Sequence, residues 1–505
     1  MNHNFILIDF LDEVRSGMAL ATERRANMVA TERGAVSFLT LNFQNNHAHI
    51  ISKMKKRQRL AENIEVYNFH EHFYNLPGHL SDNVSSPEVE LFEDGFSHYI
   101  DDDRPNTNGY RYYDKEGNYV KYKLFDEKMR LKFIDYRDLN LQRTHRVEYD
   151  LNGRKRREIR YNLQNNKPAF EKYYDINGNC YLSVWVNSSG KRTKCVLHAG
   201  INKAFNHITD AHVYWVESIL KDYTNPFLML DELGLLDVFR KVGNDCHKIV
   251  TLHNTHLDKP HVKGSPYRRV YKEIFDHKDE FDAIVFLTEE QKRDVEEDYG
   301  TDERFVVIPH AVTLDKGAIL DKSIERNPKS AITLARLEDS KNIADGIRAF
   351  RIVVDEIKDA EYHIFGYGKE KENLQALIKD LHLENNVHIH GFTHNVNREI
   401  QKHGLSIMTS RFEGFCLVIM ESLANQTPVV SYRTKYGPET LIRDGKDGYL
   451  VEYNNYEEAA EKVIELMKDS KLQKKFAKNS LDVYKRFSYA RYKKNWLDLF
   501  KQLSK

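Results

Sequence analysis

The chain has 505 residues, of which 41% are hydrophobic and 30% charged, and Lys plus Arg balance Asp plus Glu at 76 each. The length predicts two or three domains, and the charge balance argues against a nucleic-acid binder, which carries a positive excess. None of the four cysteines lies in a CxxC pair, so the sequence fits a reducing compartment and indicates neither a disulfide framework nor a zinc site.

The N-terminal apolar run is short and is interrupted by Asp9, Asp12 and Glu13. It therefore predicts a buried first strand and neither a signal peptide nor a membrane span. No later stretch approaches the roughly 20 apolar residues that a spanning helix needs. We expect a soluble, cytoplasmic protein, with peripheral association at the inner face of the cell membrane left open.

A strand–loop–helix–strand rhythm opens the chain and returns in its middle. The first strand is predicted at 5–10, a loop with Gly17 follows, then a helix over about 18–30 and a strand at 37–43. This rhythm is typical of a doubly wound parallel sheet. Four more strands are predicted at 226–232, 248–256, 281–288 and 305–312. We therefore predict one Rossmann-like domain from residues 1–76 and 205–312.

Between these two parts, residues 77–204 alternate in hydrophobicity and are rich in aromatic side chains. Turn signals at 114–117, 150–153 and 175–178 separate successive hairpins. The pattern predicts an antiparallel β-meander inserted in the first domain.

A polar stretch at 313–328 is interpreted as a hinge, and a second strand–helix pattern follows it. Its strands are predicted at 330–337, 360–368, 386–392, 405–410 and 427–432. The fold class is therefore α/β, with two Rossmann-like domains facing a cleft. The second domain covers 313–485, and 486–505 forms a C-terminal helix.

Two carboxylates, Glu413 and Glu421, lie eight residues apart around a helix predicted from about residue 416. The first would lie in the loop before the helix, where it and backbone N–H groups can hold sugar hydroxyls and phosphate. The second would lie inside the helix, within reach of ribose hydroxyls. The alternative is that both glutamates simply flank an amphipathic helix.

Arg336 and Lys341 follow a predicted strand and lead into a helix. Two cations at such a strand end can neutralise a diphosphate leaving group without a metal, although a pair of solvated surface cations has the same spacing. Gly366 and Gly368 follow the next strand and would let the backbone approach phosphate. An ordinary strand-to-helix turn explains them equally well.

His253 and His256 lie near the end of a predicted strand and could contact a transferred sugar, although either could be an ordinary surface or core histidine. Their HxxH spacing lacks a matching carboxylate or cysteine, so no metal site is predicted. Gly17, in the loop after the first strand, could permit close approach to a diphosphate or could be an ordinary turn glycine.

These segments together resemble the retaining glycosyltransferases of family 4, which have the two-domain GT-B fold. The resemblance rests on ARLEDSKN, HIFGYGKEKENLQALI, VHIHGF, SRFEGFCLVIMESLANQTPVV and DGKDGYLV, and on FLTEEQKRDV and VIPHAV before them. It implies a UDP-sugar donor, no required cofactor or metal, and a C-terminal helix that crosses back to the first domain.

The resemblance also implies a role for each candidate residue. Arg336 and Lys341 would bind the donor diphosphate, Glu413 the sugar and Glu421 the ribose. One of His253 and His256 would face the donor, as would Gly17. The remaining donor-binding candidates are Gly366, Gly368, Phe392, Gly414 and Phe415.

The opening LDEVRSGMALATERRA and the β-rich insertion are similar to a narrower subgroup, the teichoic-acid α-glycosyltransferases of Gram-positive bacteria. That similarity implies transfer of glucose or N-acetylglucosamine to a poly(glycerol phosphate) or poly(ribitol phosphate) chain. Related enzymes that glycosylate serine-rich or Ser-Asp-repeat adhesins have a similar layout and remain an alternative. In this group the insertion is associated with acceptor binding or oligomerisation, which implies a homo-oligomer.

Two further observations bear on function. Lys and Arg outnumber Asp and Glu by about two to one over residues 121–160, including a basic cluster at 154–157. Such a stripe would attract a polyanionic polymer or an acidic peptide, although a solvated hairpin turn is an equal explanation. A non-catalytic partner subunit remains a hypothesis of another class, whereas an isomerase or epimerase is disfavoured because the first loop lacks GxGxxG.

Overall fold

The computed structural model describes residues 3–13, 17–75, 89–101, 107–243, 245–312, 321 and 323–505. The chain divides into two compact units, Met1–His247 and Lys248–Lys505. Parallel strands form two Rossmann-like sheets and a third sheet is antiparallel, which confirms the predicted fold class. The domain bounds given above stay a prediction, and residues 313–320 and 322 of the proposed hinge lie outside the described residues.

The first unit contains most of the β-structure. Its elements are β1 (Asn4–Ile8), α1 (Gly17–Arg33), β2 (Val36–Thr40), α2 (His47–Lys56), β3 (Glu65–Asn68), α3 (Phe69–Tyr74), β4 (Ser97–Ile100), β5 (Asn108–Tyr113), β6 (Tyr119–Phe125), β7 (Leu131–Arg137), β8 (Arg143–Tyr149), β9 (Lys155–Asn162), β10 (Lys167–Tyr174), β11 (Cys180–Val186), β12 (Arg192–Leu197), β13 (Lys203–Phe205), α4 (Ile208–Leu220), β14 (Phe227–Leu230) and α5 (Leu236–Lys241).

The second unit alternates strands with helices. Its elements are β15 (His247–Thr251), α6 (Arg269–Asp276), β16 (Ala283–Phe286), α7 (Glu289–Tyr299), β17 (Phe305–Val307), β18 (Asn327–Leu334), α8 (Ile343–Glu356), β19 (Glu361–Phe365), α9 (Lys371–Asp380), β20 (Val387–His390), α10 (Val396–Lys402), β21 (His403–Met408), α11 (Leu417–Ala424), β22 (Val429–Tyr432), α12 (Pro438–Leu441), β23 (Gly448–Val451), α13 (Tyr456–Lys468), α14 (Ser470–Ser480), α15 (Val483–Arg486) and α16 (Tyr489–Leu503).

Four parallel strands of the first unit pair in the order β14-β1-β2-β3. Every residue of β1, NFILI, is buried, as expected of a strand covered on both faces. Helix α1 starts at Gly17 and carries Arg25, which forms a buried ion pair with Asp231 just after β14. This pair fixes the helix against the end of a neighbouring strand.

The predicted meander is confirmed as a ten-stranded antiparallel sheet in which β4 to β13 pair in chain order. Its turns follow the sequence signals. Asp114 and Asp150 each accept a hydrogen bond from the backbone N–H two residues on. Gly117 and Gly153 close these turns with φ of +84° and +77°, a conformation that favours glycine.

The basic cluster at 154–157 is largely neutralised within its own unit. The pairs are Lys155–Glu158, Arg156–Glu71 and Arg157–Glu148, with nitrogen–oxygen distances of 2.8, 2.6 and 2.8 Å. The Arg156 side chain is buried. The cluster therefore presents less unpaired positive charge than its sequence suggests.

In the second unit, β15, β16 and β17 run parallel, and six further parallel strands have the order β20-β19-β18-β21-β22-β23. Strands β15 and β17 end earlier than predicted, at Thr251 and Val307. Pro309, which cannot donate to a ladder, follows β17 closely. Because β15 ends at Thr251, His253 and His256 lie in the loop beyond it.

Helices α8 and α13 pack on the six-stranded sheet and bury an apolar core that includes Ile347, Phe350, Tyr362 and Val463. The predicted C-terminal helix is α16, and Trp496 and Phe500 on it are buried. Within the described parts of the chain, no helix combines the length and apolarity that crossing a bilayer requires.

Replacing Phe350 by alanine tests this core. Phe350 is fully buried and its ring centroid lies 5.2 Å from that of Tyr362, so Phe350→Ala should lower the free energy of unfolding by about 3–5 kcal/mol. Arg348→Ala, on the exposed side of α8, should cost less than about 1 kcal/mol. Urea unfolding followed by circular dichroism measures both, and equal transition midpoints would contradict this packing.

Candidate functional site

The candidate residues of the second unit follow four adjacent strands of the six-stranded sheet. Strands β20, β19, β18 and β21 are neighbours and parallel, so their carboxyl ends share one edge, where α/β sheets bind ligands. Phe392 follows β20, Gly366 and Gly368 follow β19, Arg336 and Lys341 follow β18, and Glu413 follows β21. The sheet thus brings residues from four separate loops to one edge.

At this edge Lys341 and Glu413 form an ion pair with 2.6 Å between Nζ and Oε1. Their side chains are only 20% and 11% exposed. Lys341 ends a short 3₁₀ turn before α8. The backbone of Glu413 is held on both sides, because its N–H donates to the Lys435 carbonyl at 2.9 Å and its carbonyl accepts from Tyr436 N–H at 2.8 Å.

The electrostatics keep a positive charge at this position. Burial lowers the pKa of Lys341, but the charge and hydrogen bond of Glu413, together with the nearby Cys416, raise the pKa above its ordinary value. The nearby positive charge of Arg336 acts weakly in the opposite direction. Arg336 itself is more than half exposed and pairs with Glu338 at 2.6 Å. The edge therefore carries one fixed cation and one solvent-accessible cation.

Gly366 and Gly368 have a packing role that the sequence did not predict. Their φ angles are +148° and +157°. A Cβ at these positions would lie 1.9 Å from the carbonyl oxygen of Ala335 and 2.3 Å from that of Leu337. The glycines thus let the loop after β19 press against the backbone on either side of Arg336. Their contact with phosphate stays a prediction.

Gly414 makes a second close approach. A Cβ on Gly414 would lie 2.1 Å from the carbonyl oxygen of His253. On the other side of the same loop, a Cβ on Gly437 would lie 2.2 Å from the carbonyl oxygen of Phe415. The loop that carries Glu413 is therefore held between two backbones and lies directly on the segment that follows β15.

The two histidines have different surroundings. His253 is half-buried, and its ring stacks on that of His310 with 5.5 Å between centroids. His256 is fully buried against Tyr267 and Tyr436, and its ring nitrogens have no hydrogen-bond partner among the described residues. His253, which adjoins Gly414, is therefore the better placed of the two to reach a ligand.

The other candidates also have defined places. Glu421 lies in the second turn of α11, as predicted. The Phe415 side chain is buried against Phe487, so a contact with a ligand would come from its backbone. Phe392 is 52% exposed. Gly17 is the exposed first residue of α1 in the first unit, and residues 14–16 before it lie outside the described residues.

Sequence reasoning missed Lys435 and His310. Lys435 Nζ lies 2.8 Å from Glu290 and 2.7 Å from Asp294, both on α7, and so ties the loop that holds Glu413 to that helix. His310 packs between His253 and Phe415. Lys435 offered no signal because its partners lie more than 140 residues away. The sequence predicts that His310 lies within the strand at 305–312, but the strand ends at Val307 and His310 lies in the loop after it.

Gly414→Ala should destabilise the second unit, because the new Cβ would overlap backbone atoms that cannot move freely. We expect a loss of about 1–3 kcal/mol and a lower melting temperature. Gly391→Ala is the matched control, since a Cβ there meets nothing within 4 Å. If both variants melt at the wild-type temperature, the close approach is wrong.

His256 should make stability fall in acid. Burial lowers its pKa from 6.5 to about 4, so the unfolded chain takes up the proton first and stability is lost as pH falls from about 6.5 to 4. The full loss is about 3 kcal/mol. The gap in melting temperature between wild type and His256→Phe should therefore shift in favour of the variant between pH 7 and pH 4.5, and a constant gap would contradict the prediction.

Comparison with known proteins gives a family for part of the chain. Residues 318–482 match glycosyl transferases group 1. A poly(glycerol-phosphate) α-glucosyltransferase of Bacillus subtilis is 32% identical over 407 residues, which are 78% of this chain and 59% of that protein. The chain thus spans less than two thirds of the length of this relative. A poly(ribitol-phosphate) α-N-acetylglucosaminyltransferase of Staphylococcus aureus is 24% identical, over 99% of this chain and all of that protein.

Solved structures give the fold. A TarM variant of S. aureus, in complex with fondaparinux, α-GlcNAc-glycerol and UDP, has a TM-score of 0.87 at 22% identity and covers 99% of this chain and 100% of its own. The pneumococcal O-GlcNAc transferase GtfA, in complex with UDP and GlcNAc, has a TM-score of 0.80 at 18% identity, with 99% of both chains covered. Residues 318–482, which carry the carboxyl-edge site, thus match the glycosyl transferases group 1 family, in agreement with the resemblance of the motifs to the family 4 glycosyltransferases.

Proposed function

We propose that the chain is a retaining glycosyltransferase that transfers glucose or N-acetylglucosamine from a UDP-sugar to a polyol-phosphate teichoic acid in α linkage. The observation that carries this proposal is the Lys341–Glu413 ion pair at the carboxyl edge of the six-stranded sheet, with Arg336 on the same strand-end loop as Lys341. It supplies cations for a diphosphate and a carboxylate for sugar hydroxyls within one small site.

The donor would be bound by complementary charge. Lys341 and Arg336 stabilise the diphosphate, where two cations can neutralise the leaving group without a metal ion. Glu413 accepts hydrogen bonds from hydroxyls of the transferred sugar, and Glu421 reaches the ribose. His253 hydrogen-bonds the sugar close to its reacting carbon.

Retention follows from attack on the front face of the donor. The acceptor hydroxyl approaches the anomeric carbon on the side from which UDP departs, so the new C–O bond forms where the C–O bond to phosphate breaks. The leaving phosphate oxygen takes the acceptor proton. Glu413 positions the sugar and forms no covalent adduct. Charge on the departing phosphate grows during this step, and preorganised cations stabilise it most at that point.

The acceptor assignment draws on the relatives. Two of them are named for poly(glycerol phosphate) and poly(ribitol phosphate), and both polymers are polyanions. We also propose action at the cytoplasmic face of the membrane and self-association through the sheet β4–β13. The alternative acceptor is a serine-rich or Ser-Asp-repeat adhesin, which is favoured by the similarity to the peptide N-acetylglucosaminyltransferase subunit GtfA of Streptococcus pneumoniae, 23% identical over 61% of this chain.

A non-catalytic partner subunit is the second candidate function, because the fold also matches chains of a GtfA/B complex. The presence of Arg336, Lys341, Glu413 and Glu421 favours an active enzyme. Donor turnover by the isolated chain separates the two hypotheses.

The test is UDP release from UDP-glucose and UDP-N-acetylglucosamine with EDTA present. Acceptors are poly(glycerol phosphate), poly(ribitol phosphate) and a Ser-Asp-repeat peptide. Glu413→Gln and Lys341→Ala should each lower kcat/KM by about 100-fold or more, as loss of one charge-stabilising group does. Lys468→Ala is the control, since Lys468 forms an exposed ion pair of the same 2.6 Å length with Glu356, away from the sheet edge.

The proposal would be supported by turnover on one of the two polymers, provided that the control variant retains this activity and the site variants lose it. Turnover on the peptide alone would favour an adhesin as the acceptor. No turnover on any acceptor would favour the hypothesis of a non-catalytic partner subunit. Activity that EDTA abolishes and added metal restores would contradict the metal-independent mechanism.

A further inference from the structure

One cross-strand row of the antiparallel sheet has an unusual composition. Tyr136 on β7 pairs with His145 on β8, which pairs with Arg160 on β9. Arg160 pairs with Phe170 on β10, and Phe170 pairs with Trp185 on β11. Because directly paired residues project from the same face of a sheet, these five side chains form one line. We call them the aromatic–basic row.

Each member of the row keeps part of its surface exposed. Trp185 is 45% exposed and the Arg160 side chain 63%, whereas Tyr136, His145 and Phe170 are half-buried. Neighbouring strands lie roughly 4.8 Å apart, so the row extends for about 19 Å. Each end carries a pair of rings. The centroids of Tyr136 and His145 are 4.2 Å apart in a stacked pair, and those of Phe170 and Trp185 are 5.0 Å apart in an edge-to-face pair.

Arg160 makes a hydrogen bond within the sheet and keeps other donors available. Its Nε donates to Glu158 Oε1 at 3.2 Å, and its terminal nitrogens make no hydrogen bond to the described residues. On the opposite face of the sheet, by contrast, the arginines are held by carboxylates. The pairs there are Arg146–Asp135, Arg157–Glu148 and Arg192–Glu171. Donors of Arg160 therefore remain available to a bidentate anion.

The same row continues beyond Tyr136 to Lys121 and Tyr112, and there the chain covers it. The Phe96 ring lies 4.0 Å from Lys121 Nζ, and Glu93 forms an ion pair with the same lysine. The Tyr112 hydroxyl donates to the carbonyl of Leu91. At the covered end, a ring and a carboxylate of the chain itself contact the lysine of the row. At the open end, the arginine and the rings of the row are available for similar contacts with a partner.

The partner that fits is a chain carrying sugar rings and phosphates. Aromatic rings offer flat apolar faces against which the C–H face of a sugar ring packs, and arginine is the preferred side chain for phosphate. A bare polyol phosphate has the phosphates but no sugar ring. A second copy of this chain would need acidic groups facing the row in a self-complementary contact, and the row itself contains no acidic residue.

We propose that the aromatic–basic row binds a stretch of acceptor polymer that is already glycosylated, an inference that rests on the proposed function. Arg160 holds a phosphate of the polymer backbone, and the ring pairs at either end hold attached sugars. The row thereby gives the enzyme a preference for long, partly glycosylated chains over short or bare ones.

The test compares wild type with the Arg160→Ala/Trp185→Ala double variant, both positions being exposed. Tyr99→Ala is the control, because Tyr99 is an exposed aromatic residue of the same sheet outside the row. Titration calorimetry measures binding of α-glucosylated and bare poly(glycerol phosphate), with no donor present. Transfer assays give KM and kcat on the polymer and on a short oligomer of glycerol phosphate.

For the double variant we expect binding of the glucosylated polymer to weaken by about tenfold, as loss of two contacts of moderate strength predicts. KM on that polymer should rise similarly, while kcat, KM on the short oligomer and the melting temperature stay unchanged. Wild type should bind the glucosylated polymer more tightly than the bare one.

Equal binding by wild type and the double variant, or no binding by wild type, would overturn the row as a polymer site, whatever the transfer assays give. If transfer fails on every acceptor while the polymer still binds through the row, the proposed function fails and the row stands. A double variant that changes the oligomeric mass in light scattering but leaves polymer binding intact would identify a self-association face instead.

Discussion

The site depends on one ion pair, between Lys341 and Glu413. The two residues are 72 positions apart and meet because β18 and β21 are parallel neighbours whose carboxyl ends share an edge. In a partly buried position each charge needs the other, since an unpaired buried charge is costly. Under the proposed function, an incoming diphosphate and sugar would replace this ion pair with charged contacts of their own.

The surrounding glycines make this geometry possible. Gly366 and Gly368 bring the loop after β19 onto the backbone around Arg336, and Gly414 brings the Glu413 loop onto that of His253. Each contact is one that a Cβ would prevent. Side-chain packing alone would hold these loops at least a methyl group farther apart. The close approaches therefore bring together the loops that carry Arg336, Glu413 and His253.

Much of this arrangement could be predicted from the sequence, because it depends on local patterns. Alternating hydrophobicity and Asp-x-x-Gly turns predict the meander, and strand-end positions predict the edge at which Arg336, Lys341 and Glu413 lie. Long-range partners could not be predicted. His253 and His256 have the same local context, but only His256 is fully buried, among rings that include those of Tyr267 and Tyr436. The sequence predicts that Arg156 belongs to a basic surface, but in the structure Glu71, 85 positions away, neutralises its charge.

The most direct measurement of the central claim is a double-mutant cycle on kcat/KM with Lys341→Ala, Glu413→Gln and both together. If the pair acts as one unit in binding and stabilising the donor, the double variant should be hardly worse than the poorer single variant, with a coupling energy of about 1–3 kcal/mol. Additive losses, or single variants with wild-type turnover, would contradict the account.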